Sequence, residues 1–141
     1  MSVVDPSTPP GAQAAERLPT EVVIWFVSVS PTGRPAPTPV WFWWDGADEV
    51  VIRTQPGTKK LRNVAANPHV ALHLNSTADG GRVVVLAGEA RVDPDGITDD
   101  EKAAILGKYA EAIRGLGTDG EGFIRGYSET VRVTLTGLRG F

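Results

Sequence analysis

The chain has 141 residues and a formal net charge of −3, so the sequence predicts one domain without a large basic surface for nucleic acid. It contains no cysteine, which excludes disulfides, thiolate nucleophiles and thiolate metal sites. No stretch approaches the roughly 20 apolar residues of a membrane span, and the first residues do not resemble a secretory signal. We therefore expect a cytoplasmic protein.

The N-terminal segment is rich in proline, alanine and serine, a composition typical of mobile chain. We interpret residues 1–12 as a mobile tail and expect a single folded domain over residues 13–141. The sequence shows no internal repeat and no heptad pattern, so nothing in it indicates a second domain.

Three segments rich in β-branched and aromatic residues come next and are separated by short turns, which predicts an antiparallel meander: Glu21–Ser30, Pro37–Trp44 and Glu49–Thr54. The second segment contains the run PVWFWW. Because a strand alternates its faces, we expect Trp41 and Trp43 to point one way. Val40, Phe42 and Trp44 should point the other way. One of these faces can be core, whereas the rings on the other must cover a second chain or a ligand.

The rest of the chain predicts a helix, two strands, two helices and a closing strand: Lys59–Ala66, His69–Ser76, Arg82–Asp93, Thr98–Gly117, Glu121–Tyr127 and Thr130–Leu138. Gly88 inside the long strand indicates a bend or bulge. Thr98 is the expected N-cap of the longer helix, whose apolar stripe is Leu106, Tyr109, Ile113 and Leu116. Since closure removes exposed strand edges, we expect a small antiparallel barrel with helices packed at its openings.

The common catalytic signatures are missing from the sequence, which has no P-loop, dinucleotide fingerprint or nucleophile elbow. His69 and His73 share one face of a predicted strand but lack a convincing third ligand, so we expect no metal site. The acidic pair Asp99-Asp100 is explained by the dipole of the helix that it begins. No residue stands out as a general acid or base.

The run TKKLR, from Thr58 to Arg62, follows a Pro-Gly turn and begins a helix. Free N–H groups, a hydroxyl and two ammonium groups together can bind an anion, and a bound phosphate would offset the crowding of lysines at the positive helix end. The alternative is a solvated charged turn. Combined with an aromatic strand one hairpin earlier, the run suits a planar ring with a phosphorylated tail, as in a flavin or deazaflavin.

The segments PVWFWWDG and VVIRTQPGTKKLRNVAANPHVAL resemble the pyridoxamine 5′-phosphate oxidase-like split β-barrel proteins. More narrowly, they are similar to the F420-dependent reductases of actinobacteria, the deazaflavin branch of that family. The resemblance runs from about Trp25 to the C-terminus. It implies a mainly β fold with helices (α+β), of the FMN-binding split-barrel type, and a homodimer with its cofactor sites at the interface.

The resemblance also implies roles for individual residues. The ring system would be lined, largely through backbone groups, by Pro39, Val40, Trp41 and Phe42. The next strand would continue along the cofactor through Arg53, Thr54 and Gln55. The phosphate would be held by Thr58, Lys59 and Lys60, with Lys60 the best-matched lysine, and the turn would be supported by Arg62 and Asn63. Arg139 and Phe141 of the second chain are candidates to complete each site.

Thr38 and Trp43 stand where pyridoxamine phosphate oxidases carry basic residues, and TLTGLRGF lacks their basic C-terminal motif. The resemblance therefore favours reduced coenzyme F420 as hydride donor to an electron-poor acceptor such as an enone or conjugated pyrrole. Solvent can supply the proton, so no catalytic side chain is required. Lys59, Arg62 or Arg34 would suit the polyglutamyl tail. The alternatives are an FMN-binding oxidoreductase of the same fold, a non-catalytic cofactor carrier and a cofactor-free dimer.

Overall fold

The computed structural model describes residues 2–141, and that part of the chain folds into seven strands and five helices. In chain order these are α1 (Pro9–Arg17), β1 (Val23–Val29), β2 (Pro35–Trp41), β3 (Trp43–Trp44), β4 (Glu49–Thr54), α2 (Lys59–Ala66), β5 (His69–His73), β6 (Val84–Asp93), α3 (Asp99–Lys108), α4 (Ala110–Gly115), α5 (Gly120–Gly126) and β7 (Glu129–Gly140). None of these helices is long and apolar enough to cross a membrane.

The strands form one antiparallel sheet in the order β2-β1-β5-β6-β7-β4-β3. Its two edge strands, β2 and β3, are consecutive in the chain and are separated by Phe42 alone. The sheet must therefore curl until its edges approach each other, which confirms the predicted split antiparallel barrel. The predicted strand Pro37–Trp44 is divided because the chain changes its pairing partner from β1 to β4 at Phe42.

The tryptophan-rich segment alternates as predicted. Phe42 is 1% exposed and lies in the main core inside the curled sheet, against which Val40 and Trp44 also pack. Trp41 and Trp43 pack on the other side, against a second cluster built around Tyr109, Ile113 and Phe123. The rings that the sequence assigns to a second chain or a ligand are thus partly covered by helices α3–α5 of the same chain.

Several local predictions are confirmed. Helix α2 has the predicted bounds, and Thr98 caps α3 in a reciprocal capping box with Glu101. The strand register shifts between Ala87 and Gly88, where a side chain at Gly88 would collide with Val133.

The long helix predicted over Thr98–Gly117 is divided into α3 and α4, because Tyr109 leaves the helical region with φ −108° and ψ 16°. Of the expected apolar stripe, Tyr109 and Ile113 are buried, but Leu116 is 54% exposed.

The N-terminal segment departs from the expected mobile tail. Val4 is 4% exposed in the main core, and α1 begins at Pro9 after a Thr8 N-cap. Arg17, at the end of α1, donates hydrogen bonds to the carbonyls of Asn75 and Arg82. Over residues 2–12 the segment is therefore packed on the barrel, since one apolar anchor and a capped helix outweigh its composition; Met1 lies outside the described residues.

Candidate functional site

A groove of about 350 Å³ lies where β2 and β4 meet the starts of β1 and α2 and the segment around α5. This volume is in the usual range for small-molecule sites, about 300–1,000 Å³. The apolar part of its lining is Val23, Pro39, Val40, Trp41, Leu116, Phe123 and Tyr127. The polar part is Arg53, Thr54 and Lys60.

The aromatic wall of the groove is a continuous stack. Trp41 lies parallel to Tyr109, with ring centroids 4.6 Å apart and an interplanar angle of 5°. Phe123 is 5.4 Å from Trp41 and 4.8 Å from Tyr127, measured between ring centroids. Because each ring is held by another, the wall offers a fixed aromatic surface against which a planar ligand could pack.

The polar part of the lining carries two partly buried cations. Lys60 Nζ donates to Thr54 Oγ1 at 3.2 Å, and burial lowers the pKa of Lys60. No carboxylate in residues 2–141 forms a salt bridge with this lysine. Two positive side chains in one groove favour an anionic ligand group.

The second cation, Arg53, is oriented by β7 and α5. It donates to Thr130 Oγ1 at 2.8 Å and to the Ile124 carbonyl at 2.9 Å. Burial lowers the pKa of Arg53, against the opposing field of Glu129. Its Nε is buried and finds no hydrogen-bond acceptor in the described chain. A buried donor without an acceptor is costly, so this atom is a further indication of a ligand.

The turn before α2 has the features of an anion site. Thr58 is the N-cap residue but makes no capping hydrogen bond, and its buried Oγ1 has no partner within residues 2–141. Gly57 adopts φ +74°, and Arg62 donates to its carbonyl at 3.0 Å, which holds the turn closed. The unused hydroxyl lies at the N-terminus of an eight-residue helix, whose dipole favours an anion.

The structure brings six of the expected site residues together in the groove: Pro39, Val40, Trp41, Arg53, Thr54 and Lys60. Thr58 and Arg62 lie in the adjoining turn, while Gln55 and Lys59 are exposed beside it. Asn63 supports the turn from within, because its buried amide donates to Ser28 Oγ at 3.0 Å.

Three expected residues lie elsewhere. Phe42 does not line the groove, since barrel closure places its ring in the core and both of its backbone groups bond to residues of α3 and its C-cap. Arg139 lies opposite Val85, far along β7 from the Thr130–Arg53 pair, and Phe141 is 78% exposed. Their expected contribution from a second chain stays a prediction.

Sequence reasoning missed four residues of the lining: Val23, Leu116, Phe123 and Tyr127. Phe123 and Tyr127 could have been found, because they are four residues apart in a segment predicted to be a short helix and so share one face. Val23 and Leu116 join the groove only through the tertiary fold, and no local pattern marks them.

The histidines lie outside the groove. His69 is exposed, 4.0 Å from Glu89, and His73 stacks on Trp25 with centroids 5.8 Å apart. The described residues contain no group of three His, Cys, Asp or Glu side chains that could hold a metal ion.

Comparisons with known proteins agree with this fold. The chain resembles the structure of an F420 reductase, with 21% identity, a TM-score of 0.68 and coverage of 88% of this chain and 94% of that one. It also resembles HutZ, the heme storage protein from Vibrio cholerae (14%, TM-score 0.67, coverage 99% and 95%). A FAD-binding protein from Mesorhizobium loti is similar as well (16%, TM-score 0.66, coverage 90% and 88%).

At these identities the structural likenesses show the fold alone. No curated protein sequence matches the chain. The sequence model of the family described as pyridoxamine 5′-phosphate oxidase matches residues 11–131, a span that includes every residue of the groove lining. The chain therefore belongs to the pyridoxamine 5′-phosphate oxidase family.

Proposed function

We propose that this protein is an F420H2-dependent reductase acting on an electron-poor small molecule such as an enone or a conjugated pyrrole. The observation that carries the proposal is the groove in which a stacked aromatic wall adjoins two partly buried cations, Arg53 and Lys60. A planar ring joined to a phosphorylated tail is complementary to this groove, because its ring would match the aromatic wall and its phosphate would match the two cations. An F420 reductase among the structures of similar fold gives the proposal its particular cofactor.

The residues present fit such a group. Trp41 and the backbone of Pro39 and Val40 would lie against the ring, while Arg53, Lys60 and Thr58 would hold the phosphate. The partnerless Arg53 Nε and Thr58 Oγ1 would then gain partners. Such hydrogen bonds would remove the energetic cost of leaving these buried polar atoms without partners.

The chemistry would come from the cofactor, as it does in most cofactor enzymes. Bound reduced F420 would supply a hydride whose C–H bond breaks as a new one forms on the acceptor, with the cofactor oxidised, the acceptor reduced and water giving the balancing proton. Leu116, Phe123 and Tyr127 would cover the ligand and exclude water from it.

The cations around the groove favour F420 over FMN. Lys59 and Arg62 are exposed beside the phosphate turn, where they would attract a polyglutamyl tail. Trp43, which stands where the oxidases carry a basic residue, packs in the apolar cluster on α3–α5. An FMN-binding oxidoreductase is the second candidate, because the pair Arg53 and Lys60 matches the charge of a single phosphate dianion.

The proposal includes a homodimer. The outward face of the sheet pairs Val27 with Pro37 and with Ala71, so this part of the face is apolar. The same face runs to Val23 and Pro39 at the lip of the groove. A second copy on this face would cover apolar surface and border the cofactor, which supports an interface site.

The test is turnover. Purified protein should oxidise F420H2 only when an enone or conjugated pyrrole is added, with one acceptor reduced for each cofactor oxidised. A Lys60→Ala, Arg53→Met double variant, checked for folding by circular dichroism, is the control. Tight F420 binding without turnover over a broad acceptor panel would favour a carrier, and turnover with FMNH2 alone would favour the second candidate.

A further inference from the structure

Phe42 is the single residue at which the chain leaves β2 and enters β3, so its backbone groups stand outside the regular strand ladder. Its N–H donates to the Tyr109 hydroxyl oxygen at 2.8 Å. Its carbonyl accepts a hydrogen bond from Lys108 Nζ at 2.9 Å. The Tyr109 hydroxyl lies 2.7 Å from the Val22 carbonyl oxygen and 2.9 Å from that of Phe42, and its proton can serve either.

The same tyrosine also holds the wall of the groove. Its ring stacks on Trp41, the residue before Phe42, and Trp41 lines the groove. The Tyr109 side chain therefore binds the Phe42 peptide at the seam of the barrel, which is the point between the edge strands β2 and β3. It also supports the Trp41 indole, against which a ligand ring would lie. A shift of Tyr109 would therefore be felt by the Phe42 peptide and by the Trp41 indole, which belong to neighbouring residues.

Lys108 gives this contact an electrostatic component. Its ammonium lies 3.7 Å from the centroid of the Phe42 ring and 5.1 Å from that of Tyr109. Burial lowers the pKa of Lys108 to about 8, although the field of Glu21 opposes the shift. Burial raises the pKa of Tyr109 to about 12, so the phenol stays neutral while the lysine titrates. Arg53 is a second cation nearby, since it lines a small cavity together with Trp41, Phe42 and Tyr109.

We propose that Lys108 and Tyr109 are positioning residues for the groove, which hold the Phe42 peptide and thereby set the orientation of the Trp41 indole. The inference rests on the proposed function only for the identity of the ligand. In the ligand-free protein it makes the environment of Trp41 depend on the charge of Lys108 and on the Tyr109 hydroxyl.

Two variants separate this role from general packing. Tyr109→Phe keeps the ring stacked on Trp41 and removes the hydroxyl, and Lys108→Met keeps an unbranched chain and removes the charge. Lys102→Met is the matched control, because Lys102 is on the same helix but pairs with Glu121 at the surface. Each loss of one hydrogen bond at the seam should weaken F420 binding about 2- to 10-fold.

Ligand-free measurements make the inference testable without cofactor. A Trp25→Phe background removes the indole that stacks on His73, so fewer tryptophans contribute to the signal. In this background, tryptophan emission should titrate with a midpoint of about 8, the pKa of Lys108, and the midpoint should vanish in Lys108→Met but persist in Lys102→Met. In Tyr109→Phe, hydrogen exchange at the Phe42 amide should quicken relative to the amides of β4.

The outcomes are distinct. No emission midpoint near 8, or the same midpoint in Lys108→Met, would overturn the inference, as would an unchanged Phe42 amide in a folded Tyr109→Phe variant. If Tyr109→Phe fails to fold, the Lys108→Met titration decides alone. If the wild type binds no F420 but both ligand-free results appear, the proposed function fails and the positioning role stands.

Discussion

Lys60 Nζ lies 3.2 Å from Thr54 Oγ1, across the turn where β4 ends and α2 begins. This contact holds an ammonium group in the groove at a cost to the ligand-free protein, since burial lowers the pKa of Lys60. Its position in the first turn of α2 adds to the cost, because the helix dipole is positive there. A bound anion would offset both effects, so the placement is best explained by a ligand.

The first prediction follows from that contact. Lys60→Ala should weaken F420 binding about 10- to 150-fold, the range for a lost hydrogen bond to a charged group. The ligand-free variant should be as stable as the wild type or slightly more so. Lys59→Ala, at an exposed neighbour, is the control and should cost less, with an effect that fades as salt rises. Paired binding titrations and melting curves test both variants. Unchanged affinity or a large loss of stability in Lys60→Ala would show that the turn has a structural role and does not bind the phosphate.

Arg53 should behave differently from Lys60, because it also anchors the fold. Arg53→Met removes the donors to the Ile124 carbonyl and to the buried Thr130 hydroxyl. We expect a loss of about 1–3 kcal/mol in the free energy of unfolding, together with weaker cofactor binding. Urea unfolding and a binding titration on the same samples measure the two effects. A variant of wild-type stability would show that these hydrogen bonds do not support α5.

A third prediction concerns acid. Arg132 is 8% exposed and contacts Glu101, Glu49 and Asp93. Hydrogen bonds from Arg132 lower the pKa of Glu101 from 4.5 to about 2. A depressed folded-state pKa contributes stability that is complete above the unfolded value, about 4.5, and is lost as pH falls towards 2.

Glu101→Gln tests this, because glutamine keeps the capping box and removes only the charge. The variant should be about 1.5–3 kcal/mol less stable at pH 7, and its deficit should shrink between pH 4.5 and 2. Glu111→Gln, at an exposed site on α4, is the control variant. Denaturant unfolding at a series of pH values is the measurement, and a deficit that does not change with pH would refute the assignment.

The fourth prediction is the homodimer. Light scattering at micromolar concentration should give twice the mass of the chain. We expect the dimer interface to bury more than about 2,000 Å² in total. Val27→Glu places a charge between the apolar residues Pro37 and Ala71 of the outer face and should yield a folded monomer that binds cofactor more weakly. A monomeric wild-type protein would contradict the proposed dimer interface.

Much of the local structure is predictable from the sequence. The bounds of α2, the Thr98 cap, the irregularity at Gly88 and the alternation around Phe42 all follow from patterns within a few residues. The turn before α2 is predictable for the same reason, because proline, glycine, threonine and two lysines follow one another in the sequence.

The interruption of the strand at Phe42 and of the helix at Tyr109 could not be predicted, because the two residues are 67 apart in the chain and meet only through a tertiary hydrogen bond. Phe42 lies where the chain passes from β2 to β3, and Tyr109 lies where α3 ends and α4 begins. The N-terminal segment misled because its composition suggests mobility, while one buried side chain, Val4, sets its position.

The most direct test of the account is a side-by-side titration of the protein with F420 and FMN, followed by tryptophan emission. Because Trp41 lines the groove, F420 should quench emission and bind more tightly than FMN. Trp41→Phe should lose most of the quenching. FMN binding as tight as or tighter than F420 binding, or F420 binding that leaves Trp41 emission unchanged, would contradict the deazaflavin site proposed for this groove.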